Sequence, residues 1–334
     1  MNASIRETGK PVVAVDAMGG DHGPQVVVPG AVAALSPDSP FAVALYGDPE
    51  AVGAELAKLD TDGLPVSVVP CTQDIDMGES PAAAIRGRPD SPIVKAMTDH
   101  RQGRAAAVVS AGSTGAQVAA SLIVLGRLPG VDRPAIATVI PTVAGRLLLL
   151  DAGANTQCKP EHLVSFARMG VVFAQEILGV PTPKVGLLNI GGEAKKGNEL
   201  TVAAHALLGT TGLDFRGNIE GNDLLLGAFD VVVTDGFTGN NTLKLVEGIA
   251  RFLVALSRRP DLSEQERAAF RPVLGYLQRE FTYEAAGGAM LLGVAGVSII
   301  AHGRSSELAI TNAVKVAWQQ IRADLPAKVA AAHA

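Results

Sequence analysis

The chain predicts an α/β fold: a doubly wound, mostly parallel sheet sandwiched by helices. Three observations predict it. Apolar runs of strand length alternate with longer segments of helical period. The runs are continuously apolar instead of alternating with polar residues, as expected of strands buried on both faces. Glycines cluster directly after the runs, where a backbone must turn sharply or approach a ligand.

Taken in order, "PVVAVDAM" reads as the first strand, followed by "FAVALYGD", "LPVSVVP" and "AAAVVSAG". A helix is expected to start near Thr114. "IATVIPT" and "RLLLLDAG" lie in a stretch rich in proline and glycine, which suits a hinge or an antiparallel excursion. "KVGLLNIG", "DVVVTDG" and "GVSIIAHG" complete the strands, and helical stretches span Pro160 to Leu178, Asn198 to Leu208, Asn240 to Leu256 and Ser305 to Arg322. The polar, aperiodic "MNASIRETGK" is expected to be a flexible leader (1–10), with one large α/β domain over 11–330. A densely charged excursion at about 257–284 places Leu262, Phe270, Val273, Leu274, Leu277 and Phe281 at roughly helical spacing. It predicts a helical hairpin, either solvated or offering a membrane or partner surface.

Composition narrows the function. Hydrophobic residues make up 48% and charged residues 18%, which suits a packed core and excludes a disordered chain. A net charge of −5 argues against nucleic-acid binding, which needs a basic field. Two cysteines without a CxxC pair, and no secretory signal, predict a cytoplasmic protein. The charge-free stretch from Ala285 to Ala301 is broken by glycines and falls short of the roughly 20 residues of a bilayer span, so a buried turn and strand is expected there.

Several strands end in polar groups: "VVSAGSTGA", "LLLLDAGAN", "GLLNIGGEAKKGNE", "DVVVTDGFTGNNTLK" and "VSIIAHGRSS". In an open parallel sheet, ligands bind beyond such carboxyl ends. "SAGSTGA" alone is equally an ordinary strand-to-helix turn; its repetition along the chain favours a site, with amides at a helix start suited to an anion. "GGEAKKGNE" has P-loop glycine spacing, but Asn198 and Glu199 stand where Lys and Ser/Thr are required, so it is no Walker motif. Its adjacent lysines suit an anion or simply face solvent. There is no GxSxG, HExxH or GxGxxG, and Cys158 reads more readily as a packed thiol than as a nucleophile. No metal and no cofactor are expected.

Together "VAVDAMGGDHGPQVVVPG", "SAGSTGA", "DAGAN", "GLLNIGGEAKKGNEL" and "DVVVTDGFTGNNTLKLVEG" resemble the bacterial phosphate acyltransferases of phospholipid synthesis, the acyl-ACP:phosphate acyltransferase family. The resemblance runs from about Val12 past "AHGRSS", with departures at Ser113, where the family pattern has Asn, and at Gly192. It implies an isopropylmalate dehydrogenase/phosphotransacetylase-like fold and transfer of a fatty acyl group from acyl carrier protein to inorganic phosphate. It also implies a homodimer associated peripherally with the membrane, beside the glycerol-3-phosphate acyltransferase that consumes the product. On this resemblance Lys195 or Lys196 neutralises phosphate and Asn240 donates to the thioester oxygen. Substrate contacts are expected from Asp16, Gly19, Gly20 and His22 in the first loop, and from Ser110, Gly112, Ser113, Thr114 and Gly115 in the second. Asp151, Asn155 and Asn189 follow, then Asp235, Gly236 and Gly239, and finally His302. The alternatives are a phosphate acetyl- or butyryltransferase using acyl-CoA, a nicotinamide- and metal-dependent hydroxyacid dehydrogenase, and a non-catalytic carrier-protein or phosphate-binding regulator.

Overall fold

The structure is a computed structural model. It describes residues 9–75, 81–280 and 287–334, with only the backbone of 278–280. Most of the expected leader (1–8), Phe281 and the end of the charged excursion lie outside the described residues. In chain order the first strands and helices are β1 (Val12–Asp16), α1 (Pro24–Val32), β2 (Ala42–Gly47), α2 (Pro49–Leu56), β3 (Val66–Pro70), α3 (Pro81–Gly87), α4 (Pro92–Arg101), β4 (Ala107–Ser110) and α5 (Thr114–Ala120). They continue with β5 (Ala135–Thr142), β6 (Gly145–Leu150), α6 (Pro160–Glu176), β7 (Val185–Asn189), α7 (Glu199–Leu208), β8 (Phe215–Glu220), β9 (Val231–Val233), α8 (Gly236–Leu256) and α9 (Glu264–Glu280). The last are β10 (Ala289–Leu292), β11 (Ser298–Ile300), α10 (Glu307–Ala323) and α11 (Leu325–Ala331). The chain falls into two compact units, Met1–Pro134 with Gly287–Ala334, and Ala135–Ala286.

In the first unit the strand order is β3-β2-β1-β4-β11-β10. The pairs from β3 to β11 are parallel, and only β10 runs antiparallel to β11. Helices cover both faces for a reason visible in the strands. Ala14, Ala44, Tyr46 and Val108 form one cluster with Ile93, Val94 and Met97 of α4. Their neighbours Val13, Val43, Leu45 and Val109 are just as buried and, because side chains alternate along a strand, face the opposite layer, where α10 packs on β1 and β4. Continuous apolar runs are what such two-sided burial requires.

The second unit has the order β5-β6-β9-β7-β8. β5 and β6 pair antiparallel, so the proline- and glycine-rich stretch forms the antiparallel excursion, and the remaining pairs are parallel. Leu147 and Leu149 of β6 and Val232 of β9 pack with Leu188 and Ile219 into one core, against which Leu243 and Val246 of α8 lie. Gly170 lets α6 approach the sheet, since a methyl there would meet Val231 at 2.5 Å.

The structure corrects the element boundaries in three places. β8 was not expected, because "FRGNIE" has no apolar run, and as a strand with one paired edge it needs none. β10 lies where the sequence suggests only a glycine-rich turn. α8 begins at Gly236, four residues before the expected start at Asn240, because Asp235 is its N-cap and accepts from Thr238 N at 2.9 Å.

Candidate active site

In the first unit three of the polar strand ends meet. Asp16, Ser110 and Ile300 are in register across β1, β4 and β11. The buried Ser110 hydroxyl donates to Asp16 Oδ2 at 2.7 Å and accepts from Gly112 N at 3.1 Å, while Met18 N donates to Asp16 Oδ1. Burial pushes the Asp16 carboxyl up, and these hydrogen bonds oppose it. Asp16 and Ser110 are thus committed to holding the two loops together. Gly19 is obligatory between them, since a Cβ there would lie 2.7 Å from Gly112 N. The third loop joins through Asp21 N, which donates to Gly303 O at 2.7 Å beside Gly20. His302 accepts from Arg304 N and shapes this turn, and His22 is exposed on the first loop.

A cavity of about 230 Å³ opens under this junction. Asp16, Gly19, Gly20, Ser110, Gly112 and Ser113 line it together with Asp74, Ile75, Ser91 and Pro92. Ser113 is the N-cap of α5, accepting from Ala116 N at 3.4 Å, and Thr114 and Gly115 are exposed at the helix start. Gln117, one turn on and 1% exposed, donates to Ile299 O at 2.8 Å and to Ser298 Oγ, locking α5 to β11. Among the described residues, two carboxyl groups and no lysine or arginine line the cavity.

The second unit gathers two further groups. Fully buried Asp151 accepts from the backbone N–H of Ile136, Gly153 and Ala154 through Oδ1, and from both nitrogens of Asn155 through Oδ2. Burial pushes its carboxyl up against the pull of those donors. All five donors are N–H groups, so Asp151 serves as an acceptor throughout and organises its loop. That loop abuts the start of α8: Gly236 N donates to Asn155 O at 2.7 Å, and a side chain at Gly239 would run into Asp151 O. Asn240 is exposed one turn into α8, beside Gly153.

The other group is the lysine loop after β7. Lys195 and Lys196 are exposed. Asn189 spans the loop, donating from Nδ2 to Lys196 O at 2.9 Å and accepting from Ile190 N. Asn218 on β8 donates to Gly191 O at 3.2 Å and Glu193 O at 2.9 Å. Neither Asn218 nor Gln117 was expected to matter. Asn218 sits in the strand that periodicity overlooks, and Gln117 resembles any helical polar residue until its buried partners are seen.

The expected residues therefore separate into a first-unit set around the cavity and second-unit sets at the α8 start and the lysine loop. Burial pushes the Cys71 thiol up to about 12, away from thiolate character, and half-buried Cys158 contacts Asn155 O. Among the described residues, no group of three or more His, Cys, Asp or Glu side chains could hold a metal ion. None of their helices is long and apolar enough to cross a membrane.

Residues 12–328 match the family described as "Fatty acid synthesis protein". The curated phosphate acyltransferase of Desulforamulus reducens is 48% identical over 318 residues, covering 94% of each chain. That of Moorella thermoacetica is 48% identical over 309 residues, covering 91% of each. Among solved structures, a phosphotransacetylase from Streptococcus pyogenes superposes with a TM-score of 0.65 at 16% identity, over 96% of this chain and 97% of its own. EutD phosphotransacetylase from Staphylococcus aureus gives 0.64 at 14% identity, over 95% and 97%. These two establish the α/β fold. With a match across nearly its whole length and relatives close to half identical end to end, the chain belongs to the fatty acid synthesis protein family.

Proposed function

We propose that this protein is a phosphate acyltransferase that moves a fatty acyl group from acyl carrier protein to inorganic phosphate, giving acyl phosphate for phospholipid synthesis. The observation that carries the reading is near-half identity, over almost the full length, to proteins named phosphate acyltransferase. The chemistry asks little of the protein. A phosphate oxygen attacks the thioester carbonyl carbon, the C–O bond forms, the C–S bond breaks, and the thiolate leaves and takes up a proton. Phosphate carries about −1.5 to −2 charge at neutral pH if its second pKa lies near 6. The leaving thiol has a pKa of about 8.5, so no side-chain nucleophile or strong acid is needed. Positioning and oxyanion stabilisation remain.

Two carboxylates in the first-unit cavity disfavour a dianion and suit the uncharged, amide-bearing pantetheine arm of the donor. Phosphate is assigned to the cationic loop, through Lys195 or Lys196. Asn240 is assigned as the donor to the developing oxyanion. Asp16, Ser110, Asp151, Asn155, Asn189 and Asp235 serve by holding the loops, and Gly19, Gly20, Gly112, Gly115, Gly236 and Gly239 by letting them approach. His22 and His302 remain candidate substrate contacts. Residues 11–330 act as one catalytic domain in a cytoplasmic homodimer. Exposed Leu245, Ile249 and Phe252 on α8 support peripheral membrane association near the glycerol-3-phosphate acyltransferase.

The test is direct. Purified protein is incubated with phosphate and either acyl-acyl carrier protein or acyl-CoA, and acyl phosphate is trapped with hydroxylamine. Turnover with the carrier-protein thioester is expected. Turnover with acyl-CoA alone would turn the reading to an acyl-CoA-dependent transferase, and none with either would leave a binding protein.

A further inference from the structure

The lysine loop is short, glycine-rich and exposed, and would sample many shapes if left alone. Two side chains restrain it. Asn189 belongs to the loop's own strand and was expected at the site. Asn218 comes from the neighbouring strand β8. Its Nδ2 carries two hydrogens, and both are used, one on Gly191 O at 3.2 Å and one on Glu193 O at 2.9 Å. Its Oδ1 lies 3.0 Å from His205 Nδ1, so His205 donates there. This settles the orientation of the carboxamide, because the reverse would set oxygen against two carbonyl oxygens. His205 is itself held edge-on by Phe215, with ring centroids 5.1 Å apart. A rigid chain thus runs from β8 to the loop backbone immediately before Lys195.

We infer that Asn218 is a positioning residue for phosphate: its carboxamide holds loop 190–197 in the shape that presents the cationic side chain. The inference rests on the reading that Lys195 or Lys196 neutralises phosphate. A flexible loop loses conformational freedom when it closes on an anion, and a tethered loop loses less. The effect therefore falls on phosphate binding more than on the rate of the bound complex.

The experiment compares Asn218→Ala, Asn218→Asp, Lys195→Ala and Lys196→Ala in steady-state kinetics, with thermal unfolding to confirm folding. Asn218→Ala is expected to raise phosphate KM about tenfold, from the loss of two hydrogen bonds. The kcat and the KM for the acyl donor should stay near the parent values. Asn218→Asp keeps the size and the His205 contact but sets a carboxylate against two carbonyls, so it should be at least as damaging as alanine. A role in packing alone predicts the reverse order and would overturn the inference. A readout independent of turnover is tryptic cleavage after Lys195 and Lys196, which should quicken in both Asn218 variants. Unchanged cleavage, or unchanged phosphate KM while one lysine variant raises it, would sink the inference alone. If neither lysine variant moves phosphate KM, the underlying reading falls and the inference with it.

Discussion

At the scale of single residues, the polar groups that end the strands are mostly engaged with one another. Asp151 has five N–H donors and Asp16 is bound to Ser110, so part of their cost of burial is offset inside the protein. Gly239 follows the same logic. Because any side chain there collides with Asp151 O, Gly239→Ala is expected to lose folded protein, read as a collapsed soluble yield or a large drop in Tm. Asn240 is different, being exposed at a helix start. Losing one oxyanion donor typically costs about 10²–10³ in rate. Asn240→Ala should therefore lower kcat by that order with little change in phosphate KM; parent-like turnover would remove it from the mechanism. Cys71→Ala and Cys158→Ala should both retain most activity, and mass spectrometry should find no acyl-enzyme. A trapped thioester on either would replace direct attack with a ping-pong route.

At the scale of elements, small clips place each helix. Asp235 caps α8 through Thr238 N and Thr238 Oγ1, and the structure moves Asn240 from the expected first residue of that helix to a place one turn inside it. Asp235→Ala should cost about 1 kcal/mol, measured by denaturant unfolding. His100 on α4 provides a pH-dependent clip within the first unit. Its Nδ1–H donates to Ala105 O at 3.0 Å, and its Nε2 accepts from Val297 N at 2.9 Å, so only the neutral ring makes both bonds. Burial lowers its pKa from the ordinary value. The unfolded chain then takes up the proton first as pH falls. The stabilisation is complete above the unfolded pKa of about 6.5 and is lost as pH falls through the folded value. Urea unfolding at about pH 5 and about pH 7.5 should show a smaller pH-dependent loss in His100→Gln than in the parent.

On the scale of the molecule, the charged excursion expected at about 257–284 holds α9 among its described residues, and the exposed apolar edge lies on the preceding helix α8. Leu262, Phe270, Leu274 and Leu277 are half-buried, while Leu245 (66%), Ile249 (45%) and Phe252 (62%) stand exposed along one face of α8. Spacing in sequence gives the stripe but not which stripe the partner helix covers, and α9 packs against α8. Under the proposed membrane association, Leu245→Glu with Phe252→Glu should reduce co-flotation with anionic liposomes and leave turnover in solution largely intact. Equal binding by parent and variant would end that role for α8.

The sequence by itself determined the α/β class, nine of the strands and the polar character of their carboxyl ends. These depend on local and periodic signals: an unbroken apolar run marks a strand buried on both faces, and a following glycine marks the turn. The family, too, was legible, because its loops keep their residues in order along the chain. Tertiary structure decided the rest. β8 carries no apolar run of its own and is a strand only because β7 offers it a ladder. Asn218 and Gln117 acquire a task only when a loop or a strand distant in sequence brings carbonyl oxygens to their amides. The apolar face of the hairpin is fixed by which helix packs where. Hydrogen-bond partnership and burial are properties of pairs brought together by folding, and no single stretch of sequence contains them.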